Sequence, residues 1–240
     1  MSLRESQLWS SSLENRRRLW FQPSECGSAT AICVFLDAEY YLDRLDAASL
    51  LGELQSTGQI PPVAAVYVSH VDQPTRWRES FCNPAFADFL ADDLLPTATE
   101  ALGIDHTIPA CLIGLSLTGL AAAHVAVSRS DRVSRVVCQS ASFWWDDESL
   151  TRRIPACSSF PERIRIACGG RETVDLFDHG DGLVQRVSQL TANRRMRDAL
   201  LARGADVSYS EFDGGHDLAC WRDDLPASLA AAIGIGQLPT

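Results

Sequence analysis

The stretch Ala110-Cys111-Leu112-Ile113-Gly114-Leu115-Ser116-Leu117-Thr118-Gly119-Leu120 constrains this chain more than any other. A short apolar run fit for a buried strand ends at Gly114, Ser116 follows, and an Ala-rich helical segment starts almost at once at Leu120. Strand, sharp turn and helix in that order make a nucleophile elbow. Such a turn lifts a serine hydroxyl above a sheet edge and places it at a helix N-terminus, where backbone N–H groups can hold an oxyanion. Ser116 is the candidate nucleophile. The usual spacing is Gly-x-Ser-x-Gly; here Thr118 stands at the second glycine and Gly119 comes one place late. A serine between a core strand and a core helix also serves as a plain N-cap, and the motif alone fits both readings.

What surrounds the elbow sets the frame. At 240 residues the chain is expected to be one domain, 1–240, with 1–16 as a helical or frayed lead-in. It holds no apolar stretch long enough to span a bilayer and no basic-then-apolar leader, so a cytoplasmic protein with no membrane partner is expected. A net charge of −10 argues against nucleic acid as a partner, since phosphate binding rests on Lys and Arg. The eight cysteines are scattered singly, without the paired spacing of a zinc site. No metal and no cofactor are expected, and Cys33, Cys111, Cys138 and Cys168, in apolar runs, read as reduced core residues.

Periodicity gives strands near 18–21, 32–36, 63–68, 133–139, 164–168 and 207–212. Helical stretches fall near 45–55, 84–102 with a break at Pro96, 146–153, 183–203 and 221–233. This alternation predicts an α/β fold: a mainly parallel twisted sheet with helices on both faces and functional residues in the loops after the strands.

A serine nucleophile needs a base and an orienting acid, which in the α/β-hydrolase fold follow in the order serine, acid, histidine. His70 and His106 precede Ser116, His124 lies within the elbow helix, and His179 sits in a Gly-rich loop. His216, in Phe212-Asp213-Gly214-Gly215-His216-Asp217 between the last strand and the last helix, has the position of the base. Glu172, just after the strand 164–168, is the favoured acid, with Asp175, Asp178 and Asp181 as alternatives. The oxyanion donors by the same logic are the N–H of Leu117 and one at Ala38 or Glu39, after the strand 32–36.

Longer runs carry a resemblance. Gly214-Gly215-His216-Asp217-Leu218-Ala219-Cys220-Trp221-Arg222 resembles the closing segment of the enterochelin (ferric enterobactin) esterases. Arg18-Leu19-Trp20-Phe21, Leu36-Asp37, Arg76-Trp77-Arg78-Glu79 with Cys82-Asn83 and Phe86, Gln139 to Trp145, and Gly169 to Glu172 resemble that family's segments in the same order. The resemblance covers roughly residues 17–225. It implies hydrolysis of the trilactone esters of a catecholate siderophore, with iron arriving on the small-molecule substrate, Ser116 as nucleophile, His216 as base and Glu172 at the acidic position. Thr118 departs from the family pattern, 173–189 is longer than its counterpart, and the N-terminal domain of larger members has no match.

A ferric tri-catecholate carries a charge of about −3 and calls for clustered arginines. Arg76, Arg78, Arg152, Arg153, Arg171 and Arg222 fall in loops expected near the site, and Trp77, Phe143, Trp144, Trp145 and Trp221 offer flat faces for catechol rings. Packing is the expected role of Phe143 and Trp221; ligand contact is expected of Arg76, Arg78, Arg171, Trp144 and Trp145. Cys82 and Cys220 read as neighbours, either a thiol pair or a disulfide. The other functions considered are a serine esterase or acyltransferase for different carboxylic or aryl esters, and a siderophore-binding protein without turnover.

Overall fold

The computed structural model describes residues 3–180 and 182–234. One eight-stranded sheet organises them, formed by β1 (Arg4–Ser10), β2 (Asn15–Gln22), β3 (Ile32–Leu36), β4 (Ala64–Val68), β5 (Ala110–Leu115), β6 (Arg135–Gln139) and β7 (Arg163–Gly169), then, beyond a small hairpin of β8 (Phe177–Asp178) and β9 (Val184–Gln185), β10 (Val207–Phe212). The spatial order is β1-β2-β4-β3-β5-β6-β7-β10. β1, β2 and β4 pair antiparallel, and every pairing from β4 onward is parallel. The helices are α1 (Ala38–Tyr41), α2 (Ala47–Ser56), α3 (Gln73–Ser80), α4 (Pro84–Asp88), α5 (Leu95–Leu102), α6 (Ser116–Ser128), α7 (Trp145–Arg153), α8 (Gln189–Ala202) and α9 (Leu218–Ile233).

Strand side chains alternate between two apolar cores. Val34, Val66 and Leu112 face α4, α5, α6 and α8, while Cys33, Phe35, Tyr67, Cys111 and Ile113 face α1, α2 and α9. This is the pattern of strands covered on both faces, and it explains why their sequences read as continuous apolar runs. Helix α6 runs through this arrangement: residues 117–126 are all buried, which its Ala-rich composition permits.

Three expectations change. Residues 4–10, inside the expected helical or frayed lead-in 1–16, form an antiparallel strand that extends the sheet, and the strand expected at 18–21 is present and longer, 15–22. The 84–102 helix is broken earlier than Pro96, by a π-helical turn at Phe89–Leu94, and Pro96 instead sits in the first turn of α5, where its missing N–H costs nothing. The helix expected from 183 begins at Gln189, because 184–185 belong to the hairpin.

The turn between β5 and α6 is closely packed. Ser116 has φ 50°, in the left-handed region. A Cβ at Gly114 would lie 2.2 Å from the Thr118 carbonyl oxygen and 2.8 Å from the Gly119 nitrogen, and one at Gly119 would lie 2.9 Å from Ala141 Cβ. Both contacts at Gly114 are with backbone, so nothing there can swing aside. Gly114→Ala is expected to destabilise the protein by about 1–3 kcal/mol, read as a lower urea midpoint at unchanged m value.

Candidate active site

Three neighbouring strands deliver the polar groups of the site from their C-terminal ends: Ser116 after β5, Ser140 after β6 and Glu172 after β7, while His216 follows the adjacent β10. His216 Nε2 lies 2.9 Å from Ser116 Oγ, and His216 Nδ1 lies 2.5 Å from Glu172 Oε2. The line serine, histidine, carboxylate is therefore continuous. Glu172 is 7% exposed. Its second oxygen, Oε1, accepts the Gly169 N–H at 2.8 Å and the Ser140 hydroxyl at 2.5 Å, and Ser140 Oγ in turn accepts the Trp221 indole N–H at 2.9 Å. The Trp221 ring also meets His216 edge-on, centroids 4.7 Å apart. A carboxylate so supplied with donors is held in place, and it fixes the imidazole so that Nε2 faces the serine.

The other acids are engaged elsewhere. Asp175 accepts the Ser188 N–H at 2.5 Å and Asp178 the Gly180 N–H at 2.8 Å, both within the loop, and Asp181 lies outside the described residues. Of the remaining histidines, His124 is buried, and burial lowers its pKa to about 4, so it is neutral. His106 is exposed near Asp105. Leu117 and Ala38 stand in the first turns after β5 and β3, where backbone N–H groups lack intrahelical acceptors.

A cavity of about 320 Å³ adjoins the serine and histidine. Trp144, Val174, Phe177, His179 and Arg171 help to wall it. The His179 ring stacks on Trp144 at 4.7 Å and 7°, meets Phe177 edge-on at 4.8 Å, and holds Gln185 Oε1 at 3.2 Å. The 173–189 segment, which stood out in the sequence for its length and its candidate acids, thus forms one wall.

The arginines do not gather there. Arg171 alone among the six lines the cavity, beside Asp213 at 3.6 Å. Arg76, expected at the ligand, is instead buried: its Nε–H donates to both Asp37 oxygens at 2.9 Å and its Nη2–H to Oδ2 at 2.6 Å. Arg78 donates to Thr75 within α3 and Arg152 to the Asp146 carbonyl. Trp145, likewise expected at the ligand, stacks on Phe81 at 4.7 Å and is not among the cavity's lining residues, whereas Trp144 is. Cys82 and Cys220 are both free thiols, and Cys220 Sγ lies 3.1 Å from Asp217, so no disulfide joins them. Ser140 escaped the sequence reading. Its signal was positional, a polar residue directly after a buried strand beside the serine's own. Among the described residues no cluster of His, Cys, Asp and Glu is arranged to hold a metal ion, and no helix is long and apolar enough to cross a membrane.

A serine, a carboxylate and a histidine carried on the C-terminal ends of a mainly parallel sheet, in that chain order, define the α/β-hydrolase class. Residues 10–232 match the family model described as Putative esterase, and the chain belongs to that family. It is 27% identical over 226 residues to the iron(III) enterobactin esterase of Dickeya dadantii, an alignment covering 90% of this chain and 51% of that protein. The chain spans about half the length of the curated relatives it matches. The crystal structure of the enterobactin esterase from Shigella flexneri in the presence of enterobactin superposes with a TM-score of 0.83 at 24% identity, over 96% of this chain and 58% of that one. A ferulic acid esterase superposes with a TM-score of 0.73 at 16% identity, over 95% of this chain and 96% of its own. The enterochelin-esterase resemblance read from the sequence is therefore supported over nearly the whole chain.

Beside the site, His70 Nδ1 lies 3.3 Å from Asp37 Oδ1 and 3.1 Å from Glu39 Oε2, and the contact with Asp37, then that with Glu39, raises its pKa from 6.5 to about 9 against the opposing effect of burial. A raised folded pKa stabilises fully below about 6.5, and that contribution disappears as pH climbs through about 9. The Tm of the wild type is expected to fall between pH 6.5 and 9.5 by more than that of His70→Gln, in parallel thermal melts.

Proposed function

We propose that the chain is a serine esterase that hydrolyses the ester bonds of a catecholate siderophore of the enterobactin type. The observation that carries this is the continuous line from Ser116 through His216 to Glu172, at 2.9 and 2.5 Å, beside an aromatic-walled cavity. The names of the relatives supply the substrate class.

The chemistry follows from the line. As Ser116 Oγ attacks the lactone carbonyl, His216 Nε2 takes its proton, and Glu172 stabilises the imidazolium through Nδ1. The Leu117 and Ala38 N–H groups receive the oxyanion. His216 then protonates the leaving alcohol, freeing one end of the ring as the acyl-enzyme forms. A water gives its proton to the same nitrogen and attacks the acyl-enzyme ester; His216 returns a proton to Ser116 Oγ as it leaves, and the opened chain departs with an alcohol at one end and a carboxylate at the other.

The cavity suits one aromatic arm of such a substrate. A catechol amide is planar, and Trp144, Phe177 and His179 offer it ring faces and edges. A single guanidinium, already beside a carboxylate, is weak compensation for a ferric complex of charge about −3. Iron-free ester is accordingly the preferred substrate. The same apolar lining with one arginine favours, as a second reading, esters of simpler aromatic acids or alcohols.

A chromatographic time course with ferric and iron-free enterobactin tests both. Wild type is expected to release linear trimer, dimer and monomer in turn, faster from the iron-free form, with Ser116→Ala slower by at least about 10³-fold and Glu172→Gln by about 10²–10⁴-fold. Turnover of a simple aryl ester with neither form of enterobactin cleaved would transfer the assignment to the second reading.

A further inference from the structure

The oxyanion donors belong to two different turns, one after β3 and one after β5, and these strands are direct neighbours in the sheet. Their spacing depends on what ties the turns together. Asp37 opens the first turn with φ 67° and ψ 60°, a left-handed conformation unusual for a non-glycine residue, and its carbonyl accepts the N–H of Tyr40 at 2.9 Å and of Tyr41 at 3.1 Å. Its carboxylate, 3% exposed at the residue level, is gripped from α3 by the Arg76 guanidinium. The opposite grip comes from the nucleophile turn. Thr118 Oγ1 lies 3.0 Å from Asp37 Oδ2 and 3.0 Å from the Leu115 carbonyl, sharing its one hydrogen between them, and accepts the Leu115 N–H at 3.3 Å.

We propose that Thr118 and Asp37 are positioning residues that clasp the nucleophile turn to the turn after β3 and so set the separation of the Leu117 and Ala38 N–H groups. The threonine at the place of the second elbow glycine is then a working part of the site. Glycine there has no hydroxyl to reach Asp37. Thr118 touches neither Ser116 Oγ nor His216 in this arrangement, so its influence is on geometry, and geometry is where an oxyanion site is sensitive: donors must meet the charge that develops in the transition state. The role rests on the serine-esterase reading.

The test is the inactivation of Ser116 by a fluorophosphonate, whose phosphoryl oxygen occupies the place of the oxyanion; it yields a chemical rate (kinact) and a binding constant (KI) separately. Adduct mass identifies the labelled residue. Thr118→Val keeps the volume and removes the hydroxyl, Thr118→Ser keeps the hydroxyl, and Thr118→Ala carries the measurement if valine is not accommodated. The expected result is a kinact lower by about 10- to 100-fold in the valine and alanine variants with KI unchanged, and near wild-type kinact in the serine variant. Wild-type kinact in both valine and alanine variants, a loss confined to KI, or a serine variant as slow as valine would overturn the clasp while leaving the esterase reading intact. No labelling of wild-type Ser116 would remove that reading and the clasp with it.

Discussion

Holding a non-glycine residue in the left-handed region costs about 1–3 kcal/mol, and at Ser116 that cost is imposed by strand β5 feeding helix α6 through a turn too short for anything else. The strain persists because both flanks are over-determined. β5 is paired on either side, by β3 and β6, and α6 is buried from residue 117 to 126. The Ser142 N–H closes on the Ser116 carbonyl at 2.9 Å, fastening the serine to the turn after β6. The hydroxyl is therefore placed by the sheet itself.

The same economy governs the partners. Ser140, Glu172 and His216 follow the ends of β6, β7 and β10, so the register of four adjacent parallel strands brings the turns that carry the line from Ser116 to Glu172 side by side. Ser140 has φ 45°, again left-handed, and this turns its hydroxyl to the Glu172 carboxylate rather than into the core. Trp221 completes the support from α9, donating to Ser140 while its ring edge limits the tilt of His216. An aromatic residue expected only to pack thus also fixes the base. The buried Glu172 carboxylate meets three donors within hydrogen-bond reach, Gly169, Ser140 and His216.

What the sequence made legible follows from how local each signal was. The elbow, the histidine turn and the strand that precedes Glu172 are short segments whose residue types and order carry their geometry. The first strand was not legible because β1 is mostly exposed and polar, and only the 18–21 part of the second was, because its start, Asn15-Arg16-Arg17-Arg18, reads as a charge run. The structure shows that run alternating: Arg16 and Arg18 point to solvent, and Arg17 turns inward, buried over Phe86 and Phe89 and paired with Glu79. Arg76 was misplaced for a similar reason. Its partner, Asp37, is distant in sequence, and no local pattern distinguishes an arginine reaching for an anionic ligand from one neutralising a buried carboxylate.

That distinction bears on specificity. A buried ion pair contributes little net stability, yet removing one partner strands a charge and costs about 3–5 kcal/mol, so Arg76 is committed to Asp37 and unavailable to a substrate. With Arg78 and Arg152 bonded to their own segments, the protein's −10 net charge is relieved at the cavity by Arg171 alone. A multiply charged ligand in this cavity meets one guanidinium, itself beside Asp213, and otherwise contacts made by rings. Trp144, Phe177 and His179 supply such contacts, two of them from the 173–189 segment. An aromatic wall carried largely on a loop thus stands next to a serine–histidine–carboxylate line positioned by the sheet. The two are joined where the segment meets the sheet: Gln189 donates to the Ser140 carbonyl and the Leu190 N–H to the Glu172 carbonyl at 3.0 Å, so a change in the loop reaches the groups that hold the base.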